Sequence, residues 1–193
     1  DLPGRFYEIA DRVKERRGYQ IKSFQSKNEM RQWTPQIRHV HAQAFASTHT
    51  YYPPSEAEWD TILKTLLMIA DTRLVRLVMK GDQIIGFIFA YHDLSNGLRR
   101  SRGRLFPFGW AQLLWEKRRT KVVDVNGIGI LPEYQGLGGN ILLYVELTRM
   151  VKALGFEQVE VVQVNETNFK SFSDMQTIGV HWHKRHRSYR REL

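Results

Sequence analysis

The feature that most constrains the fold of this chain is a glycine-rich loop between an apolar strand and an apolar helix. Residues 124–140 read DVNGIGILPEYQGLGGN, and apolar residues at spacings of three and four follow them. We predict a strand over residues 121–131 and a helix over residues 138–154. Three glycines in four positions allow a sharp turn that leaves several N–H groups on one side. Because the first turn of a helix adds unpaired amides and a partial positive charge, the sequence predicts a diphosphate site.

Two other phosphate-binding glycine motifs do not match this loop. A P-loop ends in Gly-Lys-Ser/Thr, whereas Gly139 is followed by Asn140. A dinucleotide fingerprint places G-x-G-x-x-G directly after a strand, whereas Gly127 and Gly129 are followed by Pro132. The remaining alternative to phosphate binding is a tight strand-to-helix turn that holds no ligand.

The rest of the sequence predicts alternating strands and helices. Gly81 between two β-rich runs predicts a hairpin, and Ser55 followed by Glu58 predicts a capping box. Asn28 and Thr34 are alternative caps for the helical turns before it. The predicted elements are helix 3–17, strand 19–24, helical turns within 29–45, a helix from 55 to about 70, strands 73–79 and 83–92, a short aromatic helix or cap at 106–115, strand 157–164, helix 168–176 and strand 180–189. This order predicts an α/β fold with a central mixed β-sheet and helices on both faces.

The glycine loop and its surroundings resemble the GNAT N-acetyltransferase superfamily. The run Gln135-Gly-Leu-Gly138-Gly-Asn140 matches the family pattern Q/R-x-x-G-x-G/A except at its last position. The preceding Leu-Pro-Glu-Tyr run at 131–134, the hairpin at 81–87 and Asn168, eleven residues before Gly179, are also similar to that family. The resemblance covers about residues 19 to 190, and it implies the acyl-CoA N-acyltransferase fold.

The stretch from Leu105 through the glycine loop is more narrowly similar to the C-terminal half of larger, functionally uncharacterised bacterial GNAT proteins. The chain also starts at Asp1 rather than at methionine. We therefore expect residues 1–18 to be a helix or linker that follows an upstream region, and residues 19–193 to be the acyltransferase domain. A missing N-terminal domain is part of this expectation.

The resemblance implies acetyl-CoA, or another acyl-CoA, as the cofactor. In the family, the pantetheine arm pairs with the glycine-bearing strand, and the loop amides hold the phosphates. Carried over to this sequence, the cofactor-binding residues are Ile128, Gly129, Ile130, Gln135, Gly136, Leu137, Gly138, Gly139, Asn140 and Asn168. For Gly127 on the same strand, a packing role is an equal alternative to close approach of the cofactor.

Acyl transfer to an amine needs a route for the departing proton. Asp124 and Asn126 are two apart, so strict alternation predicts that they point to one face of the strand, and Asp124 resembles the carboxylate base of some family members. A hydrogen-bonded structural carboxylate is the alternative. The general acid of the family does not carry over: where many members have a tyrosine, this chain has Met175, which has no proton to give. Candidate substitutes are Tyr144, which we favour, Tyr134 and Tyr189, and a thiolate can also leave without an acid.

The functional prediction is therefore transfer of an acyl group, in the first instance acetyl, from CoA to an unidentified small-molecule or peptide amine in the cytoplasm. One alternative is a non-catalytic CoA-binding or regulatory domain, which the methionine at position 175 favours. Another is an aminoacyl-tRNA-dependent transferase on the same fold. A homodimer is a further expectation.

Charge and composition bear on the partners. The net charge of +9 favours anionic ligands, and there is no cysteine and no apolar run of 18 residues, so neither a thiolate metal site nor a membrane span is predicted. The histidines at 181, 183 and 186 suit a basic terminal strand better than a metal site. Basic residues flank the aromatic stretch 106–115, which suggests a nucleic-acid or anionic-lipid surface. We favour the simpler expectation of a solvated basic loop, with these aromatic side chains packed over the sheet.

Overall fold

A computed structural model describes residues 2–46, 51–187, 189 and 191. Within these residues, there are eight α-helices and five β-strands. In chain order they are α1 (Gly4–Arg17), β1 (Tyr19–Lys22), α2 (Lys27–Gln32), α3 (Thr34–Phe45), α4 (Glu56–Ile69), β2 (Val75–Lys80), β3 (Gln83–His92), α5 (Ser95–Ser101), α6 (Gly109–Arg119), β4 (Val122–Ile130), α7 (Gly139–Ala153), β5 (Gln158–Val161) and α8 (Phe169–Thr177).

The five strands form one mixed sheet in the order β1-β2-β3-β4-β5. Neighbouring strands are antiparallel, except for β4 and β5, which are parallel and are joined through α7. The predicted hairpin is confirmed, because Lys80 and Gln83 pair directly across the turn, and Gly81 has the positive φ (57°) that such a turn uses. The predicted mixed α/β sheet is likewise confirmed.

Helices cover both faces of the sheet. On one face, Leu77 and Phe87 pair across β2 and β3 and pack in a core with Ile37 and Val40 of α3. On the other face, α7 contacts β2, β3 and β4, and α1 packs on α7. The side chain of Lys14 in α1 pairs with Glu146 in α7 at 3.3 Å. The first helix is thus part of the same compact unit as the sheet. This unit ends at Gln163.

Capping residues near the start of α2, α3 and α4 can be compared with those predicted from the sequence. The capping box is confirmed: Ser55 accepts from the amide of Glu58, whose carboxylate accepts from the amide of Ser55 at 2.7 Å. The helical turns predicted within residues 29–45 form two helices, α2 and α3, and the cap of α2 is Ser26, not Asn28. Thr34 is the first residue of α3 and not its cap, since Trp33 occupies that position.

One prediction for the second half of the chain holds only in part and another is wrong. Of the basic loop predicted over residues 99–104, Arg99 and Arg100 lie in helix α5, whereas Arg102 and Arg104 lie in the loop after it, so α5 and α6 form a helical hairpin between β3 and β4. The predicted strand over residues 180–189 does not form, because no described residue of that range is in a strand. The side chains of residues 181–187 and of Tyr189 are exposed, so no buried face supports a strand there.

The second compact unit begins at Val164 and contains α8. Asn168 caps this helix, and its side chain accepts from the amide of Ser171 at 3.2 Å. The rings of Phe172 and Trp182 stack at a centroid distance of 5.1 Å within this unit. None of the helices described in either unit combines the length and the apolar character that a membrane crossing requires.

Candidate active site

The strand β4 contains a β-bulge at Asn126. In the pairing with β3, Val125 lies opposite Ala90 and Gly127 lies opposite Phe89, so Asn126 is the extra residue. A bulge interrupts the strict alternation of side chains. The sequence argument that puts residues 124 and 126 on one face rests on that alternation, so it does not apply across this point.

The pairing shows which residues share a face with Asp124. Side chains of directly opposed residues lie on the same face of a sheet. Asp124 is opposite Tyr91 and Gly127 is opposite Phe89, and these two partners are two apart in β3. Asp124 therefore lies on the aromatic face that α3 covers. Asn126 is exposed in the bulge, and its catalytic role stays a prediction.

Only the first half of β4 is paired on both sides. Its parallel pairing with β5 ends where Val125 lies opposite Val161, and the amide of Val162 makes a last bond to the carbonyl of Val125 at 3.1 Å. Among the described residues, 127–130 pair with β3 alone. An extended ligand can add to such an edge as a further strand.

The backbone direction along this open edge follows from one hydrogen bond. The amide of Leu131 donates to the carbonyl of Ile85, on the β3 side, at 2.9 Å. Since successive residues direct their backbone groups to opposite sides, Ile128 and Ile130 present theirs to the open edge. Gly129 turns its backbone toward β3. Two of the three residues predicted to pair with the CoA arm are therefore oriented to do so.

The two glycines in β4 differ in what a side chain would meet. A Cβ atom at Gly129 would lie 2.8 Å from the ring of Phe87 and 3.0 Å from the Cβ atom of Ala44. A Cβ atom at Gly127 would make ordinary contacts of 3.7 Å with the rings of Phe87 and Phe89. Packing therefore requires glycine at position 129 but not at position 127.

The glycine loop begins directly after β4 and leads into α7. Gly136 and Gly138 have φ angles of +72° and +89°, which L side chains rarely adopt. Gly138 is the N-cap of α7 and supplies no side-chain cap, so the first-turn amides of Gly139 and Ile141 have no intrahelical acceptor. A Cβ atom at Gly138 would lie 2.5 Å from Val13 of α1, so this glycine also permits close packing.

The other predicted loop residues have defined positions. The side-chain amide of Gln135 donates to the carbonyl of Ile130 at 3.3 Å and so ties the loop to the end of β4. Leu137 is half-buried and its amide bonds to the carbonyl of Tyr134 at 3.4 Å. Asn140 is the second residue of α7. The loop thus joins the open edge of β4 to a helix N-terminus, which is an arrangement that suits a phosphate-bearing ligand.

Asp124 is the titrating group at the point where β4 and β5 separate. Partial burial, followed by the nearby carboxylates of Asp93 and Glu160, raises the pKa of Asp124 to about 6. Glu160 lies directly opposite it in the parallel pairing. A carboxylate with a pKa near 6 is mostly ionised at neutral pH and is more basic than an ordinary aspartate, so it suits proton abstraction.

An aromatic cluster around His41 covers the same face of the sheet, and the sequence analysis did not find it. The imidazole centroid lies 4.8 Å from the ring of Phe45, 5.1 Å from Trp59, 5.7 Å from Phe87 and 5.8 Å from Tyr51. Burial lowers the pKa of His41, so its ring is neutral at pH 7. Its Nδ1 atom and the hydroxyl of Tyr51 are buried and have no hydrogen-bond partner among the described residues. Only the four-residue spacing of His41 and Phe45 was visible in the sequence.

A second residue that the sequence analysis missed is Tyr91. Burial raises the pKa of Tyr91, and the carboxylates of Asp124 and Asp93 add to this effect. Its phenol therefore stays protonated at neutral pH, opposite Asp124 in the sheet. The register of β3 and β4 places Tyr91 opposite Asp124, and a strand register across a bulge cannot be predicted from the sequence.

The tyrosines named from the sequence lie elsewhere. Tyr144 is buried in α7, which covers the face opposite to that of Asp124, and its role as an acid stays a prediction. The hydroxyl of Tyr134 donates to the side-chain carbonyl of Gln83 at 3.2 Å. Tyr189, Asn168 and Met175 belong to the second unit, in which Met175 is buried. The cofactor role of Asn168 also stays a prediction.

The aromatic stretch between β3 and β4 does not pack over the sheet, and that expectation is wrong. Phe106 and Phe108 are 84% and 72% exposed, and Trp110 and Trp115 are about half exposed. Leu113, which we also expect from the sequence to pack over the sheet with these aromatic residues, is partly buried. The reason is that Gly97, Leu113 and the buried Glu116 meet at the inner face of the α5–α6 hairpin.

Curated proteins with similar sequences are bacterial. The chain is 27% identical over 159 residues to a protein named bacterial ceramide synthase from Caulobacter vibrioides, with 78% of this chain and 41% of that protein covered. It is 24% identical over 163 residues to Protein YghO of Escherichia coli, with 81% and 42% covered. The chain thus spans about two fifths of the length of these relatives. No protein-family model matches it.

Solved structures identify the fold. An aminoglycoside N-acetyltransferase, AAC(6')-Iy in complex with CoA, superimposes with a TM-score of 0.57 at 19% identity, with 91% of this chain and 95% of that chain covered. An aminoglycoside acetyltransferase from an uncultured soil metagenomic sample gives 0.53 at 12% identity, with 91% and 96% covered. The chain therefore has the GNAT acetyltransferase fold, as the sequence resemblance predicted.

Proposed function

We propose that this domain transfers an acyl group from acyl-CoA to an amine. The observation that carries the proposal is the open edge of β4, which runs directly into an uncapped helix N-terminus at Gly138. An extended thioester arm and a diphosphate need these two features in this order. A solved neighbour of the same fold is named as a complex with CoA, which supports the choice of cofactor.

In the proposed reaction, the neutral amine attacks the thioester carbonyl, a C–N bond forms and the C–S bond breaks. Asp124 accepts the proton that the amine nitrogen loses, since its raised pKa makes it a suitable base near neutral pH. The CoA sulfur leaves as a thiolate and takes a proton from solvent or from Tyr91, which is protonated and lies opposite Asp124. Ile128 and Ile130 would orient the arm through their backbone groups.

For the acceptor, we propose the amine of a long-chain lipid base. The support is the name of the Caulobacter relative, since a ceramide synthase forms an amide on such a base. The aromatic cluster around His41 lies on the same face as Asp124 and gives this side of the sheet an apolar character that suits a hydrocarbon chain.

The test is to follow thiol release from acetyl-CoA and from longer acyl-CoAs with three classes of amine: a long-chain base, an aminoglycoside and a lysine peptide. We expect thiol release that depends on the long-chain base, with the amide product identified by mass spectrometry. Preference for another amine would contradict the proposed acceptor but not the proposed reaction. No turnover with any of the three amines would contradict the proposed reaction.

The second candidate is a CoA-binding domain without catalysis, which Met175 favours because the thioether cannot supply a proton. Calorimetry separates the two candidates: binding of CoA with no amide formed from any amine would support the regulatory domain. An aminoacyl-tRNA-dependent transferase would instead bind charged tRNA and show no stabilisation by CoA.

A further inference from the structure

The α5–α6 hairpin (residues 95–119) exposes more large apolar side chains than a solvated surface requires. Phe106 and Phe108 at its tip are largely exposed, and the helix that follows continues the exposed surface. Within α6, Trp110, Leu114 and Arg118 recur at four-residue spacing, so they line one side of the helix. The exposed apolar residues are Leu98, Leu105, Phe106, Phe108, Trp110, Leu114 and Trp115. A concentration of large exposed apolar side chains in one hairpin marks an interaction surface.

The hairpin is a packed structure, so the exposure is not a consequence of disorder. Gly97 of α5 allows close approach to Leu113 and Glu116, where an added Cβ atom would lie 3.1 Å from each. Glu116 is buried and accepts hydrogen bonds from Arg100 at 2.9 Å and from Asn96 at 3.4 Å. Because the inner face is filled by these groups, the aromatic side chains are held outward.

The hairpin and the two residues after it account for most of the net positive charge of the protein. Residues 95–121 contain eight basic residues and one acidic residue, a net +7 of the chain's +9. The acidic residue is the buried Glu116, which is already paired with Arg100. The basic residues are Arg99, Arg100, Arg102, Arg104, Lys117, Arg118, Arg119 and Lys121. Apolar and aromatic side chains rimmed by arginine and lysine are typical of surfaces that lie on anionic lipid.

We propose that the α5–α6 hairpin docks this domain on the surface of an anionic lipid bilayer. The apolar residues would enter the interfacial region, and the basic residues would contact the phosphate groups. The inference goes beyond the proposed reaction and does not depend on it. The hairpin leaves β3 after His92 and returns at Val122, so docking would bring the bilayer to the end of the sheet where Asp124 lies.

Two other partners fit this surface less well. Leu98, Leu105 and Leu114 cannot stack on nucleotide bases, and the face of Trp115 is already covered by the guanidinium groups of Arg119 at 4.2 Å and Arg100 at 4.8 Å. A second copy of the chain would place one +7 segment against another. A bilayer takes up the leucines and the positive charge together.

The test is flotation of the full chain with vesicles of phosphatidylcholine, alone or mixed with an equal amount of phosphatidylglycerol. We expect binding to the anionic vesicles only, with weaker binding at high salt. Tryptophan fluorescence should shift to the blue as Trp110 and Trp115 leave water. No binding of the unmodified chain would overturn the proposal.

Matched variants locate the surface. Phe106→Ser with Phe108→Ser should weaken vesicle binding by at least about tenfold, whereas Phe169→Ser removes a phenylalanine of similar exposure (78%) and should have no effect. Arg102→Glu with Arg104→Glu should abolish binding, while Arg16→Glu with Arg17→Glu makes the same change of net charge on exposed positions of α1 and should retain most of it.

Circular dichroism melting of each variant confirms folding, and a poly-uridine oligonucleotide serves as the competing ligand. Equal loss in a hairpin variant and its control would overturn the assigned surface. Binding of the oligonucleotide that is lost in the hairpin variants, with no binding to vesicles, would show a nucleic-acid surface and contradict bilayer docking.

Discussion

Asp124 and Glu160 lie directly opposite each other in the parallel pairing of β4 with β5, one residue before that pairing ends. Two carboxylates in register on neighbouring strands repel each other when both are ionised. Burial is the largest cause of the raised pKa of Asp124, and repulsion by the carboxylates of Asp93 and Glu160 adds to it, so Asp124 is more basic than a surface aspartate. The raised pKa of Asp124 affects both the proposed catalysis and the stability of the fold.

Replacing Asp124 with asparagine should lower kcat/KM by about 100-fold or more, because the proposed base is lost while the side-chain shape is kept. The activity of the unmodified protein should rise with pH through about 6, the pKa to which Asp124 is raised. The variant should lack that rise. The measurement is the pH profile of kcat/KM from thiol release. A variant with an unchanged profile would show that Asp124 is a structural carboxylate.

The same substitution should change stability with the opposite sign. Folding raises the pKa of Asp124 above its ordinary value of 3.8, so the folded state favours the protonated form. The contribution of Asp124 to stability is therefore complete below about pH 4 and is lost as the pH rises through about 6. At pH 7.5 we expect Asp124→Asn to melt about 2–4 °C higher than the parent, and at pH 4 to match it. Thermal melts at both pH values decide this.

Gly136 offers a sharper test of the phosphate site than Gly138. An added side chain at Gly138 would contact Val13, so aspartate there would disturb the packing of α1 as well as any ligand. At Gly136 nothing lies within 4 Å of an added Cβ atom, and its φ of +72° is one that asparagine and aspartate tolerate better than most residues.

Gly136→Asp should therefore weaken CoA binding by about tenfold or more relative to Gly136→Asn, because the two variants differ only in the negative charge beside the proposed diphosphate. Isothermal titration calorimetry with CoA measures this ratio. The pair Gly155→Asp and Gly155→Asn has the same φ and the same open surroundings away from the loop, and should bind CoA equally. Equal affinities for the two Gly136 variants would contradict the site.

Alanine at the two strand glycines should test which of them the packing of the sheet requires. Gly129→Ala brings a methyl group within 3.0 Å of Phe87 and to 3.0 Å from Ala44, and we expect it to destabilise the protein by about 1–3 kcal/mol. Gly127→Ala adds ordinary contacts only and should change stability little. Urea unfolding of both variants measures the difference. Equal stabilities would show that β4 and α3 can move apart at no cost.

The parts of the fold that the sequence predicts well are those set by neighbouring residues. The capping box of Ser55 and Glu58 and the turn at Gly81 depend on spacing alone, and both form as predicted. The glycine loop between β4 and α7 belongs to the same class, because its turn and its helix start lie within a few residues of each other.

The parts that the sequence does not predict depend on distant pairings. The bulge at Asn126 is defined by its opposition to β3, more than thirty residues away, and it changes which side chains accompany Asp124. The cluster of His41 with Tyr51 and Trp59 joins two helices and the segment between them. The exposed aromatic residues of the α5–α6 hairpin contradict the usual rule of apolar burial, since Glu116 occupies the inner face. Departures of this kind are expected at functional surfaces.

His41 provides a test of that aromatic cluster, because its ring has no hydrogen-bond partner at Nδ1 among the described residues and yet lies among four aromatic rings. Burial lowers the pKa of His41, so the folded state favours the neutral ring, and its contribution to stability is lost as the pH falls below about 6.5.

His41→Phe keeps an aromatic ring at this position and removes the titrating group, so the variant should lose less stability between pH 7.5 and pH 5 than the parent. His39→Phe, on an exposed position of the same helix, is the control and should follow the parent. If both variants kept the acid sensitivity of the parent in thermal melts, the imidazole would have to be solvated in the folded state, and His41 could not be part of an apolar wall beside Asp124.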